Sequence, residues 1–495
     1  METRLVRILS ILILVTFVLT PGWLRASPAQ RTGQPASPQA IHAQVLGTTM
    51  RVSIASDGSQ GNYWSTFPSI SADGRYAAFL SGASNLVSGD TNGYADVFVH
   101  DRQTGVTQRV SIASDGSQAN DGSYNSSISA SGRYVTFDSR ATNLVTGDTN
   151  DFCNSNFPDD LTHDPPPQTI MTPTPPPNNC GDVFVHDRQT GVTQRVSIAS
   201  DGSQGGKSSC CPTISADGRY VAFLSGASNL VSGDTNGYGD VFVHDQQTGV
   251  TQRVSIASDS LQGNRNSYYS SISNDGRYVT FESDANNLVS GDTNGYIDIF
   301  VHDRQTGVTQ RVSIASDGSQ GNSPSYDSSI SADGRYVTFY SYADNLVSGD
   351  TNGYLDVFVH DRQTGVTQRV SIAGDGSQGN YPSYDSSISA DGRYVTFESD
   401  ANNLVSGDTN GNTDVLVHDR QTGGTLRVSI ANDGSQGNNG SGYASISANG
   451  RYVVFGSDSS NLVSGDINGY PDVFVHDRGP DFAYIFRLFL PLLTY

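Results

Sequence analysis

Between residues 49 and 478 the apolar positions fall in short β-prone runs bounded by turn residues, and one order of runs recurs down the chain. Ser-Ile-Ser (as at 69–71) is followed by Ala-Asp-Gly-Arg, and then by a run such as Tyr-Val-Thr-Phe at Tyr278 to Phe281. Asp-Gly between two such runs is a strong tight-hairpin signal. Further on, Asp-Val-Phe-Val-His-Asp (Asp96 to Asp101) leads through Arg-Gln-Thr-Gly into Val-Thr-Gln-Arg-Val-Ser-Ile, a second hairpin. Each unit therefore predicts four short strands, with a long link (Gly82 to Ala95 in the first) between the second and third.

The triplet Arg-Val-Ser starts at Arg51, Arg109, Arg195, Arg253, Arg311, Arg369 and Arg427, with gaps of 58, 86, 58, 58, 58 and 58 residues. Seven copies of one unit fill residues 49–478, and one copy carries 28 extra residues. Four strands repeated seven times is the arithmetic of an all-β fold, a seven-bladed β-propeller. The first Arg-Val-Ser precedes the first Ser-Ile-Ser, and the last unit ends after its third strand at Asp477. Residues 49–56 are thus predicted to complete blade seven, removing a sheet edge and closing the ring.

The run Ser-Ala-Asp-Gly-Arg-Tyr-Val-Ala-Phe (215–223), followed by Asp-Val-Phe-Val-His-Asp, resembles the WD-like propeller repeats of TolB-type proteins. Repeats of this type also occur in the tricorn and dipeptidyl-peptidase families. The resemblance spans residues 49–478 and implies the fold. The α/β domain that precedes the TolB propeller and the hydrolase domain of the peptidases have no counterpart here, so neither Tol-system partners nor peptidase activity is expected.

Composition sharpens this picture. Of 49 acidic residues three are glutamate (Glu2, Glu282, Glu398), which leaves 46 aspartates, and 27 of the 28 basic residues are arginine. Glu and Lys favour helices, whereas Asp and the 53 glycines favour turns, which argues against a helical bundle or a large α/β enzyme. A net charge of −21 excludes a nucleic-acid backbone as partner. Residues 1–29 carry Arg4 and Arg7, an apolar stretch from Ile8 to Leu19 and small residues at Ala26, Ser27 and Ala29, the pattern of an export signal. The expected product is secreted or held in the envelope or at the cell surface, with no membrane span in the mature chain. Residues 30–48 suit a flexible linker, and 479–495 form an apolar tail.

Two groups of side chains are candidates for binding, both placed by blade topology on one Asp-rich face. The first is Asp-X-Asn-Gly-X-X-Asp in the long link: Asp90/Asn92/Asp96, Asp234/Asn236/Asp240, Asp292/Asn294/Asp298, Asp350/Asn352/Asp356, Asp408/Asn410/Asp414 and Asp466/Asn468/Asp472. Hard oxygens at positions 1, 3 and 7 are the donors Ca²⁺ prefers. The motif resembles the calcium loops of integrin-type propellers but is two residues shorter. The alternative is a turn whose aspartates bond nearby backbone N–H groups. The second group is aromatic, on the link into each blade: Tyr63, Trp64, Phe67, Tyr124, Tyr268, Tyr269, Tyr326, Tyr381, Tyr384 and Tyr443. Rings beside Asp and Asn stack on sugars or anchor a peptide, or else pack between blades.

The insertion begins at Cys153 and ends at Cys180, contains eight of the 19 prolines, and is expected as an extended loop tied at its base by a Cys153–Cys180 disulfide. Cys210 and Cys211 are adjacent and open to several redox states. Seven histidines (His100, His186, His244, His302, His360, His418, His476) each precede an Asp at a strand end. Seven equivalent copies point to structural hydrogen bonding rather than to a catalytic dyad. Glu282 and Glu398 share an equivalent strand position and would serve a glycoside hydrolase only as a free carboxyl pair across the channel. The expected function is a non-catalytic module binding a protein or glycan on its Asp-rich face.

Overall fold

A computed structural model describes residues 47–149 and 181–479. The signal segment, nearly all of the linker and tail, and the insertion with Cys153 and Cys180 lie outside the described residues. Within them are 28 strands in seven four-stranded antiparallel sheets. Blade one consists of Ser65–Ile70, Tyr76–Ser81, Asp96–Asp101 and Val106–Arg109, from inner to outer edge. In blade seven the outer place is taken by Thr48–Arg51, which pairs antiparallel with Asp472–Asp477 in the register Thr49 opposite His476. The N-terminal strand closes the ring as its position in the repeat predicts, in a sheet with Ser441–Ile446 and Tyr452–Ser457.

Alternation within each strand sends apolar side chains to both faces of a blade, because each face meets a neighbouring blade. Between blades seven and one, Val454, Val473 and Val475 pack with Ile70, Phe79, Leu86 and Phe98. Six equivalent clusters join the other pairs. Leu86, from the Asn-Leu-Val of the long link, is buried and pins that link to the blade.

The face bearing the two hairpins of each blade is tied together by contacts that the copies repeat. Gly74 turns the first hairpin at φ 73°, and the Tyr452 ring of blade seven lies where a side chain at Gly74 would sit. Glycine is thus required for both conformation and space. Arg75 makes a two-pronged contact to Asp101 at 2.9 and 2.7 Å, and Tyr76 lies between the guanidinium groups of Arg75 and Arg188 at 4.7 and 4.6 Å. His100 is buried, and its Nδ1 bonds Thr107 Oγ1 at 2.8 Å, while that hydroxyl donates to the Ile54 carbonyl of the preceding blade. The hydroxyl's own proton is thereby used, so the histidine donates from Nδ1 as a neutral ring. In blade seven the partner of His476 is Thr49 from the closing strand. The histidines are structural ties.

Around the axis the inner strands end in a closed circle of seven backbone hydrogen bonds. The amide of Ala72 donates to Ala130, Ala130 to Ala216, Ala216 to Asn274, Asn274 to Ala332, Ala332 to Ala390, Ala390 to Ala448, and Ala448 back to Ala72, at 2.9 to 3.2 Å. With neighbours about 4.8 Å apart, such a circle is about 11 Å across from backbone to backbone, which sets the bore of the central channel at the hairpin face.

Candidate functional site

The Asp-rich motifs and the Ser-Asp-Gly-Ser-Gln-Gly-Asn loops meet on the opposite face: Gln118 Nε2 donates to Thr91 Oγ1 at 2.7 Å, and Asn92 Nδ2 to the Ala119 carbonyl at 3.1 Å. The motif's two carboxylates converge on an arginine. Arg109 Nη1 lies 3.0 Å from Asp90 and 3.2 Å from Asp96, and Asp96 also accepts from Ser111 Oγ at 2.6 Å and Asn92 Nδ2 at 3.0 Å. The arginine and serine belong to Arg-Val-Ser itself, so the most regular triplet in the sequence is the partner of the Asp motif. The same clamp joins Arg253 to Asp234 and Asp240, Arg311 to Asp292 and Asp298, Arg369 to Asp350 and Asp356, and Arg427 to Asp408 and Asp414. Arg51 of the closing strand clamps Asp466 and Asp472, and Arg195 does the same for Asp148 and Asp182 in the blade interrupted by the insertion.

The asparagines complete the turns, as where Asn236 Oδ1 accepts the Tyr238 amide at 3.1 Å. Equivalent bonds run from Tyr296 to Asn294, Tyr354 to Asn352, Asn412 to Asn410 and Tyr470 to Asn468. Burial pushes the Asp96 and Asp472 carboxyls upward, Asp472 to about 6. Among the described residues no group of three or more His, Cys, Asp or Glu side chains is arranged to hold a metal ion. The cation between these carboxylates is the guanidinium, and the geometry is that of a hydrogen-bonded turn.

The aromatic candidates separate by depth. Tyr384 is buried and its hydroxyl bonds Asp400 at 3.2 Å, and Tyr268 is likewise buried, so both pack within the blades. Tyr63, Trp64 and Tyr381 lie at the face: Tyr63 meets Tyr470 edge-on at 4.7 Å, and Tyr381 stacks on Tyr354 at 5.7 Å. The partners Tyr470 and Tyr354, with Tyr94, Tyr238 and Tyr296, come from the Asn-Gly-Tyr of the Asp motif and are exposed on this face. The sequence reading passed over them because repetition hid them; their place directly after the turn glycine was the available signal.

The remaining candidates belong to the channel. Each inner strand carries a bulge at its third residue: Phe67, Asn125, Cys211, Tyr269, Asp327, Asp385 and Tyr443. In six blades this residue is not glycine yet has a positive φ, from 43° at Asp385 to 58° at Cys211. The left-handed region costs bulky residues about 1–3 kcal/mol, and such strain gathers at binding and catalytic sites. Whereas most of the unit is copied closely, this position reads Phe, Asn, Cys, Tyr, Asp, Asp, Tyr around the ring. A second-strand position beside the bulge is equally varied: Leu80, Asp138, Leu224, Glu282, Tyr340, Glu398 and Gly456, paired in six blades with the inner-strand residue just before the bulge.

These two rings interlock across blades. Glu282 Oε1 accepts the Asp327 amide at 2.6 Å, Glu398 accepts the Tyr443 amide, and Asp138 accepts the Cys211 amide at 3.3 Å. Tyr443 packs on Phe67 at 4.3 Å, and Tyr326, on the strand residue before Asp327, packs on Tyr340 at 5.6 Å. Tyr124 sits under Arg140 at 5.5 Å. Tyr269 is 42% exposed although it stands on an innermost strand. Several buried polar atoms nearby have no hydrogen-bond partner: Glu282 Oε2 and the hydroxyls of Thr66, Ser126, Thr213, Ser270 and Ser386. Burial pushes Glu282 and Asp385 to about 8, Asp327 to about 6, and Glu398 upward, and repulsion from neighbouring carboxylates adds to the rise of Glu282, Asp385 and Glu398. Cys210 and Cys211 are free thiols with sulfurs 2.7 Å apart, and the hydrogen bond to Cys210 and burial raise the Cys211 pKa.

No protein-family model matches the sequence, and no curated protein matches it. Among solved structures the chain is similar to TolB from Acinetobacter baumannii at 18% identity and TM-score 0.34, over 60% of this chain and 59% of that one. It therefore spans less than two thirds of that protein's length. It is also similar to an oligogalacturonate lyase from Vibrio parahaemolyticus, at 11% identity and TM-score 0.47, over 88% and 98% of the two chains. A third likeness is to the β-propeller domain of the Trilobed protease from Pyrococcus furiosus, at 9% identity and TM-score 0.47, over 84% and 95%. The class that the chain's own sheets define is a seven-bladed propeller with four-stranded blades.

Proposed function

We propose that this protein is an exported, non-catalytic binding module whose ligand, a protein segment or a glycan, enters the channel mouth from the Asp-rich face. The observation that carries this reading is the coincidence, at one ring of positions, of copy-to-copy variation, left-handed backbone at bulky residues and buried polar atoms without partners. A ligand that enters such a site supplies partners for its orphaned groups. Exposed Tyr63, Tyr381 and the motif tyrosines extend the ligand surface outward.

The hydrolase reading required Glu282 and Glu398 as a free pair. Both are buried and each accepts a backbone amide of the next blade, so the hydrogen bonds that shape the bulges occupy them. Each Asp motif already holds a cation in its arginine, so the proposal needs no calcium. A glycan and peptide array probed with the intact chain, and with a Tyr269→Asn, Tyr443→Asn variant, tests the proposal. Binding that the double variant loses supports it; signals no higher than a scrambled control would sink it.

A further inference from the structure

Resting on that reading, we propose that the channel site is selective for an organic cation, a primary or secondary amine carried on a small molecule or an extended chain. The charge around the ring is one-sided. Four carboxyl groups come from blades four, five and six: Glu282, Asp327, Asp385 and Glu398. Among the described residues none of the four pairs with an arginine, lysine or histidine, although all seven Asp motifs on the same face do. The carboxyls interact, Glu282 with Asp327 and Asp385 of the next two blades, and Glu398 with Asp385 of its own blade and Asp327 of the one before.

Glu282 supplies the independent sign that something is missing. It is 1% exposed, its Oε1 is fixed on the Asp327 amide, and its Oε2 is buried without a partner beside that bulge. A buried carboxyl oxygen calls for a hydrogen-bond partner, and none among the described residues reaches it. The hydroxyls of Ser270 and Ser386, one residue beyond the bulges at Tyr269 and Asp385, are also orphaned.

Two observations choose the class of cation. The carboxyls do not converge as a metal site does. The residues flanking the carboxyls include aromatic rings: Tyr269 and Tyr340 stand beside them, and Tyr443 and Phe67 continue the wall. Aromatic faces with carboxylates suit an alkylammonium group, which offers several donors and a hydrocarbon stem, better than a small hydrated ion. Uncharged, the carboxyls hold protons that an entering ammonium group would displace, so binding should release protons to the buffer.

Isothermal titration of the intact chain with 1,5-diaminopentane, against 1,5-pentanediol as the uncharged equal, tests the inference. The expected result is saturable diamine binding accompanied by proton release, no diol binding, and at least tenfold weakening in Asp327→Asn, Asp385→Asn. Asparagine is native at this bulge in blade two (Asn125, φ 45°), so the variant is compatible with the backbone, and its thermal midpoint verifies folding. Equal response to diamine and diol, or undiminished binding by the folded variant, would overturn the amine selectivity. Stronger binding of CaCl₂ that the variant also loses would replace the amine with a metal. If the array ligands still need Tyr269 and Tyr443 when the diamine fails, only the amine inference falls.

Discussion

The hairpin face and the channel are built from the same seven copies and have opposite characters. On the hairpin face each copy repeats its contacts: arginine to aspartate, tyrosine against the next blade's hairpin glycine, histidine through threonine to the preceding blade. There the repeat itself supplies the main partners of the arginines, aspartates and histidines. At the channel the copies diverge, the backbone is strained, and buried polar atoms are orphaned. Duplication yields a closed, self-satisfied lattice, and departures from the copied unit mark where the lattice is not the purpose.

The two regions should respond oppositely to pH, and this is the largest effect expected. Burial lowers the pKa of all seven histidines, to about 4 in His186, His302, His360, His418 and His476. The unfolded chain, with histidines near 6.5, then binds more protons than the folded one between those values. The lattice's stability is whole above about pH 6.5 and lost as pH falls toward 4, with up to seven protons taken up on unfolding. Channel carboxyls have raised values, so the folded chain holds the extra protons. Their contribution is whole below about pH 4 and lost as pH rises through about 8. Urea midpoints from pH 4 to 9 should form a dome, and Glu282→Gln should flatten its alkaline side alone. A variant that flattens the acid side instead would break the comparison.

Next in size, Arg311→Ala removes the cation between Asp292 and Asp298 and leaves two buried carboxylates facing each other. A loss of about 3–5 kcal/mol in chemical unfolding is expected. A loss below about 1 kcal/mol would mean that the clamps are surface pairs of little weight. By contrast, Asp385→Asn should be neutral or stabilising by about 1 kcal/mol, because asparagine tolerates φ 43° and cannot ionise in this buried place. Smallest of all, millimolar Ca²⁺ and excess chelator should give the same thermal midpoint, since each motif is filled by its arginine; a rise of several degrees in Ca²⁺ would reopen the metal reading.

How much of this was legible follows from where each partner lies. Blade number, hairpins and the closing strand could be read because their signals are local and repeat at 58 residues. The structural role of the histidines was legible from their sevenfold equivalence. The arginine clamps were not, because Arg109 lies 19 residues from Asp90 and meets it only through strand pairing. Nor were the bulges: Tyr-Asp-Ser-Ser contains no glycine to announce a left-handed residue, and the amide that Glu282 accepts lies 45 residues away in the next blade. The variable tyrosines were noticed one by one. Their ring with the carboxyls needed the closed circle of inner strands to bring them together.

The central claim is that the channel ring is for binding and the lattice for stability. It is tested most directly by thermal unfolding, with and without 1,5-diaminopentane, of a chain with asparagine at every bulge (Phe67, Cys211, Tyr269, Asp327, Asp385 and Tyr443 replaced). The account predicts a midpoint within a few degrees of the parent and no response to the diamine, while the parent's midpoint rises as ligand binds the folded state. A midpoint as low as that of Arg311→Ala, or a diamine response equal to the parent's, would contradict it.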